Sequence, residues 1–514
     1  MKKITVLMLS ILMCLFLCAC SKENTSSGNG SSLASKPDCL PVLAINTIDQ
    51  SESAMDFVTK PVARLVSSAI ASWTPGYKIP LVPFYKDCKI TITGTDGVAS
   101  LFDAEAQVKV RGNWTTNYPK KGLRIKFTEK QNLLGLNNGA EMKNWVLLAE
   151  YKDGSMLRNK AALQIANEIL NNDGLYAADA CLVEVVINGE YWGVYLLSEL
   201  QQVNENRVAI TEPEKDYAGT DIGYFMELDG YSSYEDPIQY FNVDYASCGP
   251  LVPFDGEGGS GRTYLPEDIP GFTIKSDIYS PEQRNFILSY MNNVYKIMYA
   301  AAYEDKAYVF NSDYTEIQES DKLLPKDAVE QVVNLESLAD MYIISELTCD
   351  ADIYWSSFFM NVDFGEEGSK KLTFDAPWDF DSAVGNRDRC ADGTGFHCAN
   401  LVWDVNSEYQ TMNPWLAVLA YEDWFQELVS AKWKIAYADG VFHRAFTMIE
   451  EDGKQYKDAF ARNYKKWNNI ENREGFGTEL SPQSFECKNH AEATAHLLDW
   501  LKARVEFLNG QWNK

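Results

Sequence analysis

Between Leu40 and Leu228 the apolar residues fall mainly in short runs and alternating patterns, whereas from Pro281 onward they recur three and four apart. An alternating pattern marks strands with one buried face, and the longer period marks helices. This change of period predicts a mixed α+β chain with a mostly antiparallel N-terminal sheet and a helical C-terminal part. Strands are predicted over residues 40–45, 88–93 and 106–110, the last ending at Arg111-Gly112-Asn113-Trp114. In the next strand Leu123, Ile125 and Phe127 share one face while Arg124 and Lys126 share the other. An apolar run over 145–149 leads through Lys152-Asp153-Gly154-Ser155 into a helix over 156–170, with Asp153 or Ser155 as its cap and Arg158 and Asn159 in its first turn. Asn188-Gly189 joins strands 183–187 and 191–197 as a hairpin, because this dipeptide tolerates positive φ. A strand follows at 223–228. Residues 231–275 are rich in Gly, Pro, Asp and Tyr without a period and read as an insertion or long loop. Helices are predicted over 281–303, 335–347, 415–433 and 491–508, with a short strand at 372–374.

The N-terminus carries a different message. Met1-Lys2-Lys3, an apolar stretch to Leu17 and then Cys18-Ala19-Cys20 have the layout of a secretory signal, since the apolar stretch is shorter than the ~20 residues a membrane span needs. Leu17-Cys18-Ala19-Cys20 resembles the bacterial lipobox, which implies residues 1–19 as a lipoprotein signal peptide and a lipid on Cys20. Ordinary cleavage beside an incidental Cys is the alternative. Residues 20–39 are rich in Ser, Gly, Asn and Lys and form a flexible tether. The chain is therefore expected at the bacterial cell envelope, outside the cytoplasm and held on a membrane by its lipid, in a periplasmic or surface-facing position. A formal charge of −27 argues against nucleic acid as a partner, because phosphate backbones require clustered Lys and Arg. Eight cysteines follow Cys20, and Cys390 and Cys398 are the pair the intervening turn most readily allows. The four histidines are scattered without zinc-ligand spacing.

The strongest chemical signal is Trp378-Asp379-Phe380-Asp381. In an extended segment both carboxylates would face one way and both aromatics the other, which suits a divalent cation, although aspartates at a strand end also cap loops or face water. Upstream, the acidic loop around Asp350 and Asp352 precedes the apolar run Phe358-Phe359-Met360. An acidic loop, a strand, a turn and a strand ending in aspartates follow the order of the catalytic and metal-binding Asp of protein kinases.

On these stretches, with Val110-Arg111-Gly112-Asn113, Pro119-Lys120-Lys121, Asn144 to Ala149, Leu157-Arg158-Asn159 and Asn188 to Tyr195, the chain resembles the spore coat protein H (CotH) family of atypical secreted protein kinases. The resemblance implies an atypical protein-kinase-like fold over residues 40–514 that uses ATP with Mg2+ or Mn2+ and phosphorylates protein hydroxyls at Ser or Thr. By position it implies Asp352 as catalytic base and Asp379 with Asp381 at the metal. It implies Lys120 or Lys121, with Arg111 and Arg158, at the nucleotide phosphates, and Glu199 near the adenine. Ser357 stands where ordinary kinases have a metal-binding Asn, and their Gly-rich loop is absent. The competing expectation is a catalytically impaired kinase-like lipoprotein that binds or adheres at the surface.

Overall fold

The alternating segments pair with one another through their backbones and bury their apolar faces together. In a computed structural model that describes residues 38–514 except 268, 404–409 and 474, the N-terminal region contains β1 (Val42–Thr47), β2 (Lys86–Thr93), β3 (Ala99–Arg111), β4 (Gly122–Gln131), β5 (Met142–Leu148), β6 (Ala180–Ile187) and β7 (Glu190–Ser198). The signal segment and Cys20 lie outside the described residues. The expected antiparallel sheet is a closed barrel, in the order β1-β2-β3-β4-β5-β7-β6. Its one parallel contact, Val42 opposite Glu184 through Ile45 opposite Ile187, closes the ring and leaves neither outer strand as an edge. Leu123, Ile125 and Phe127 fill the interior with Ile90, Val108, Trp145 and Val185, while Lys126 points to solvent.

A second sheet builds the other half of the molecule. It contains β8 (Gly223–Leu228), β9 (Tyr240–Phe241) and β10 (Phe272–Ile274), so the aperiodic stretch 231–275 supplies two short strands bonded into it. A separate ribbon of β11 (Ala307–Phe310) and β12 (Ile317–Ser320) follows. The second sheet is completed by β13 (Phe358–Asp363) and β14 (Thr373–Phe374), giving the order β14-β13-β8-β10-β9.

Helices pack around that sheet. Pro281–Tyr303 starts at a capping box in which Ser280 and Gln283 satisfy each other's backbone N–H groups. Leu335–Thr348, Asp423–Ala438, Val441–Gln455, Lys457–Trp467 and His490–Trp512 make the C-terminal part helical. The helix predicted over 415–433 is broken into Pro414–Ala417, capped by the Asn413 side chain, and Asp423–Ala438. Helix Arg158–Leu170 lies between β5 and β6 in sequence, yet it buries Ala161, Ile165 and Ile169 in the larger core. Asp153 caps it, accepting from the backbone N–H groups of Leu157 at 3.0 Å and Arg158 at 2.9 Å. The barrel interior and the larger core are separate clusters, and the barrel residues Val146, Leu148, Leu182, Val194 and Leu196 join this helix in the larger one.

Candidate active site

The loops that carry the aspartates lie side by side at the open end of one antiparallel β-hairpin. Helix Leu335–Thr348 ends at Cys349, and residues 350–357 then lead into β13; residues 375–382 follow β14. Asp352 on the first loop and Asp379 and Asp381 on the second line a cleft of about 1410 Å³ between the barrel and the second sheet. The second loop is not extended. Asp379 has φ +70° and Phe380–Ser382 form a 3-10 turn, with the Phe380 N–H donating to Asn159 Oδ1 at 2.8 Å. The expected split of aromatics from carboxylates is therefore corrected: Trp378 also lines the cleft, with the Arg111 guanidinium 5.6 Å from its ring centre. From Cys349 to Cys390, both included, seven non-glycine residues have positive φ, Ser357, Ala376 and Asp379 among them. Such conformations cost free energy, so their concentration here marks a region shaped for function at the expense of local stability.

Cations face the aspartates. Lys152, just beyond β5, places its Nζ 3.3 Å from Asp381 and 3.5 Å from Glu479, and also donates to the Ser382 hydroxyl. Burial works against its charge, but Asp381, Tyr118, Asp352 and Glu479 outweigh burial and hold its pKa above the ordinary value. Arg111, at the end of β3, is pushed down by burial and supported by the charges of Asp379 and Glu227. The cleft is lined by six Lys or Arg residues and eight Asp or Glu residues, so Lys152 and Arg111 stand among carboxylates rather than in a basic patch.

The carboxylates are crowded. Burial, then the charges of Asp381 and Asp352, raise Asp379 to about 7. Asp381 is raised by burial against the pull of Lys152, and Glu150, buried and held by Asn159 Nδ2 at 3.0 Å, rises to about 8. A divalent cation would relieve the repulsion between Asp379 and Asp381, and their oxygens are the donors that Mg2+ or Mn2+ prefers. The residues present therefore fit such an ion.

Other expected site residues lie elsewhere. Lys120 turns inward, its Nζ donating to the Val194 carbonyl and resting 4.4 Å from the centre of the Tyr195 ring. Burial lowers it to about 7. Lys121 donates to the carbonyls of Thr116 at 2.7 Å and Tyr118 at 3.0 Å, bracing the loop before β4. Arg158 is buried against Asp153 and donates to the Val384 carbonyl at 3.2 Å. Glu199 is buried against Arg207 at 3.1 Å and accepts from Asn137 Nδ2 at 2.9 Å, although its neighbours Leu200 and Gln201 do line the cleft. None of these four side chains lines the cleft. Ser357 does, at φ +62°, with its N–H donating to Glu227 at 3.1 Å.

Lys152, Glu150 and the ion pair of Glu227 with Lys275 at 2.6 Å are cleft residues that the sequence reading did not single out. Lys152 stood in plain view between a buried strand and the cap of a helix, a place where a backbone leaving the barrel must turn toward the second core.

A model of the CotH kinase protein family matches residues 108–508, from within β3 to the last helix, and spans every cleft aspartate described above. Comparison with curated proteins gives no match. Covering more than half of the chain, the family match is decisive: the chain belongs to the CotH kinase protein family.

Proposed function

We propose that this protein is an exported, lipid-anchored and metal-dependent protein kinase of protein-kinase-like fold, which transfers the terminal phosphate of ATP to Ser or Thr of proteins at the bacterial cell envelope. One arrangement carries the reading: Asp352 and the Asp379–Asp381 pair flank the β13–β14 hairpin and share a cleft with Lys152 and Arg111. Protein kinases carry their catalytic Asp and metal-binding Asp in this chain order. Family membership adds that the protein is kinase-like and uses ATP.

In this reading Asp379 and Asp381 would hold Mg2+ or Mn2+, with the Ser357 hydroxyl available as a neutral oxygen on the neighbouring loop. When bound there, such an ion would offset charge on the phosphates of ATP. Lys152 and Arg111 donate to phosphate oxygens, and Asp352 orients the acceptor hydroxyl. Asp352 also takes the hydroxyl proton as the new O–P bond forms and the bond to the ADP oxygen breaks. Cys20 carries the anchor.

The roles separate by mutation. Asp379→Ala is expected to abolish manganese-dependent ATP binding in calorimetric titration, because a metal ligand acts in ground and transition states alike. Asp352→Ala should keep binding and lose transfer, with both variants folded by circular dichroism. Equal ATP affinity in wild type and Asp379→Ala would remove the metal role. Ser357 in place of an Asn favours a second reading, a kinase-like binding scaffold without turnover, and ATP binding with no transfer under any metal would select it. For the anchor, processed Cys20→Ser should leave the membrane fraction; its retention there would defeat the lipid assignment.

A further inference from the structure

Outside the cleft, one cluster of reactive side chains has no part in the chemistry above. The sulfurs of Cys349 and Cys390 and a ring nitrogen of His397 all lie within 4.8 Å of one another. Cys349 is the residue that ends helix Leu335–Thr348, three positions before Asp352, and Cys390 lies beyond the Asp379–Asp381 turn. Both cysteines have φ +47°, a conformation rarely held by this residue type without compensation from the surrounding structure. Cys398, the partner that the intervening turn suggested for Cys390, is instead buried with its thiol donating to Glu346 at 3.1 Å, and all three cysteines are free.

We propose that Cys349 and Cys390 are a redox pair that closes to a disulfide, tying the loop of Asp352 to the segment that follows Asp379 and Asp381. His397 is oriented for the chemistry. Its Nε2 lies 3.1 Å from the Asp350 carbonyl, which can only accept, so Nε2 carries the proton and Nδ1 is left as an acceptor. The Tyr354 hydroxyl donates to the His397 carbonyl at 3.0 Å, and the His397 N–H donates to Glu346 at 2.8 Å, fixing the residue. The Cys390 thiol lies well below its ordinary pKa because Cys349, His397 and the Arg504 guanidinium favour its thiolate, while burial raises Cys349. This gives one partly exposed attacking thiol and one buried resolving thiol.

The oxidant is an external disulfide, borne by a thiol oxidoreductase or a small thiol. Cys390, losing its proton to His397, attacks one sulfur of that disulfide and expels the other as a thiol. Cys349 then gives up its proton and attacks the Cys390 sulfur, expelling the second thiol. Two protein thiols become one disulfide, and the external disulfide is reduced to two thiols. A zinc site is the less favoured reading, since a structural zinc takes four ligands and Cys398 is committed to Glu346. Export, as proposed above, would place the pair in an oxidising compartment. The bond itself does not depend on the kinase reading; its effect on phosphate transfer does.

The test is thiol mapping of the full lipidated chain, purified in detergent and treated with oxidised glutathione. After denaturation, alkylation and digestion, mass spectrometry should find the Cys349 peptide joined to the Cys390 peptide, dithiothreitol should separate them, and Cys398→Ser should retain the link. Reduction should lower the melting temperature by roughly 4 °C, a shift absent from Cys390→Ser. Alkylation of both thiols after oxidation would overturn the proposal, as would a Cys390–Cys398 link. So would stoichiometric zinc that is lost in Cys349→Ser. Mapping of the wild type decides even if a variant fails to fold, and its outcome stands whether or not phosphate transfer is found.

Discussion

Lys152 and Lys120 are both buried lysines near the barrel, yet their surroundings assign them opposite tasks. Lys152 is held charged by Asp381 and Glu479 at the cleft, while Lys120 is pushed toward neutrality beneath Tyr195. Lys152→Met is therefore expected to reduce phosphate transfer by roughly 10²–10³-fold, the range for loss of one donor aimed at developing charge. Lys120→Met should leave manganese-dependent ATP affinity within about twofold, because its side chain lies outside the cleft and its Nζ is held by the Val194 carbonyl. Steady-state transfer rates and calorimetric titration of the two variants check this, and a tenfold loss of ATP affinity in Lys120→Met would return that lysine to the nucleotide. Sequence offered little help in choosing between them. The alternation of Leu123, Ile125 and Phe127 was readable because it has a period, but Lys120 precedes the strand and its direction is set by the gap over Gly193, where an added Cβ would sit 3.1 Å from the Lys120 Cε. Asp379 and Asp381 were legible as a pair. Both line the cleft, but through one left-handed residue and a turn rather than through strand alternation, which is why Trp378 lines it with them.

At the scale of elements, helix His490–Trp512 is fastened to the loop that starts helix Arg158–Leu170. His490 stacks on Phe460 with ring centres 4.0 Å apart, and its Nε2 lies 2.9 Å from the Ser155 carbonyl. His496 Nδ1 accepts from Arg158 at 3.1 Å, so the arginine expected at the nucleotide instead locks two helices together. Burial lowers both imidazoles to about 4, with Arg158 adding to the effect at His496. The unfolded chain takes up protons at these rings near pH 6.5, whereas the folded chain does so only near pH 4. Between those values the unfolded state binds more protons at these two rings, so their contribution to stability falls as the pH is lowered through the window, while the raised carboxyls of Asp379 and Glu150 act in the opposite sense. Each ring contributes on the order of 2 kcal/mol to this loss. Urea denaturation of His490→Gln/His496→Gln from pH 7 to 4 should give a shallower decline than wild type; an unchanged slope would mean the rings are protonated in the folded protein. These helices were readable from their spacing, and so was the Asn188-Gly189 turn, because caps, turns and periods are local. The join between helices was not, since His490 and Ser155 are far apart in the chain.

The whole molecule is two cores with a cleft between them, and the barrel's closure fixes one wall of that cleft. β1 and β6 meet in parallel across a long sequence separation, which no local pattern encodes. The order of loop, hairpin and loop that brings Asp352 to Asp379 and Asp381 was legible, because it is a matter of chain order. Among the described residues no helix is long and apolar enough to cross a membrane. If this cleft transfers phosphate, as proposed, a labelled terminal phosphate will move to an acceptor protein. The full lipidated chain is incubated with ATP labelled at its terminal phosphate, Mg2+ or Mn2+, and a generic protein acceptor, beside Asp352→Ala. Label on Ser or Thr that requires the metal and disappears in Asp352→Ala is the expected result; metal-dependent ATP binding with no label above that of Asp352→Ala would rule out phosphate transfer in this cleft.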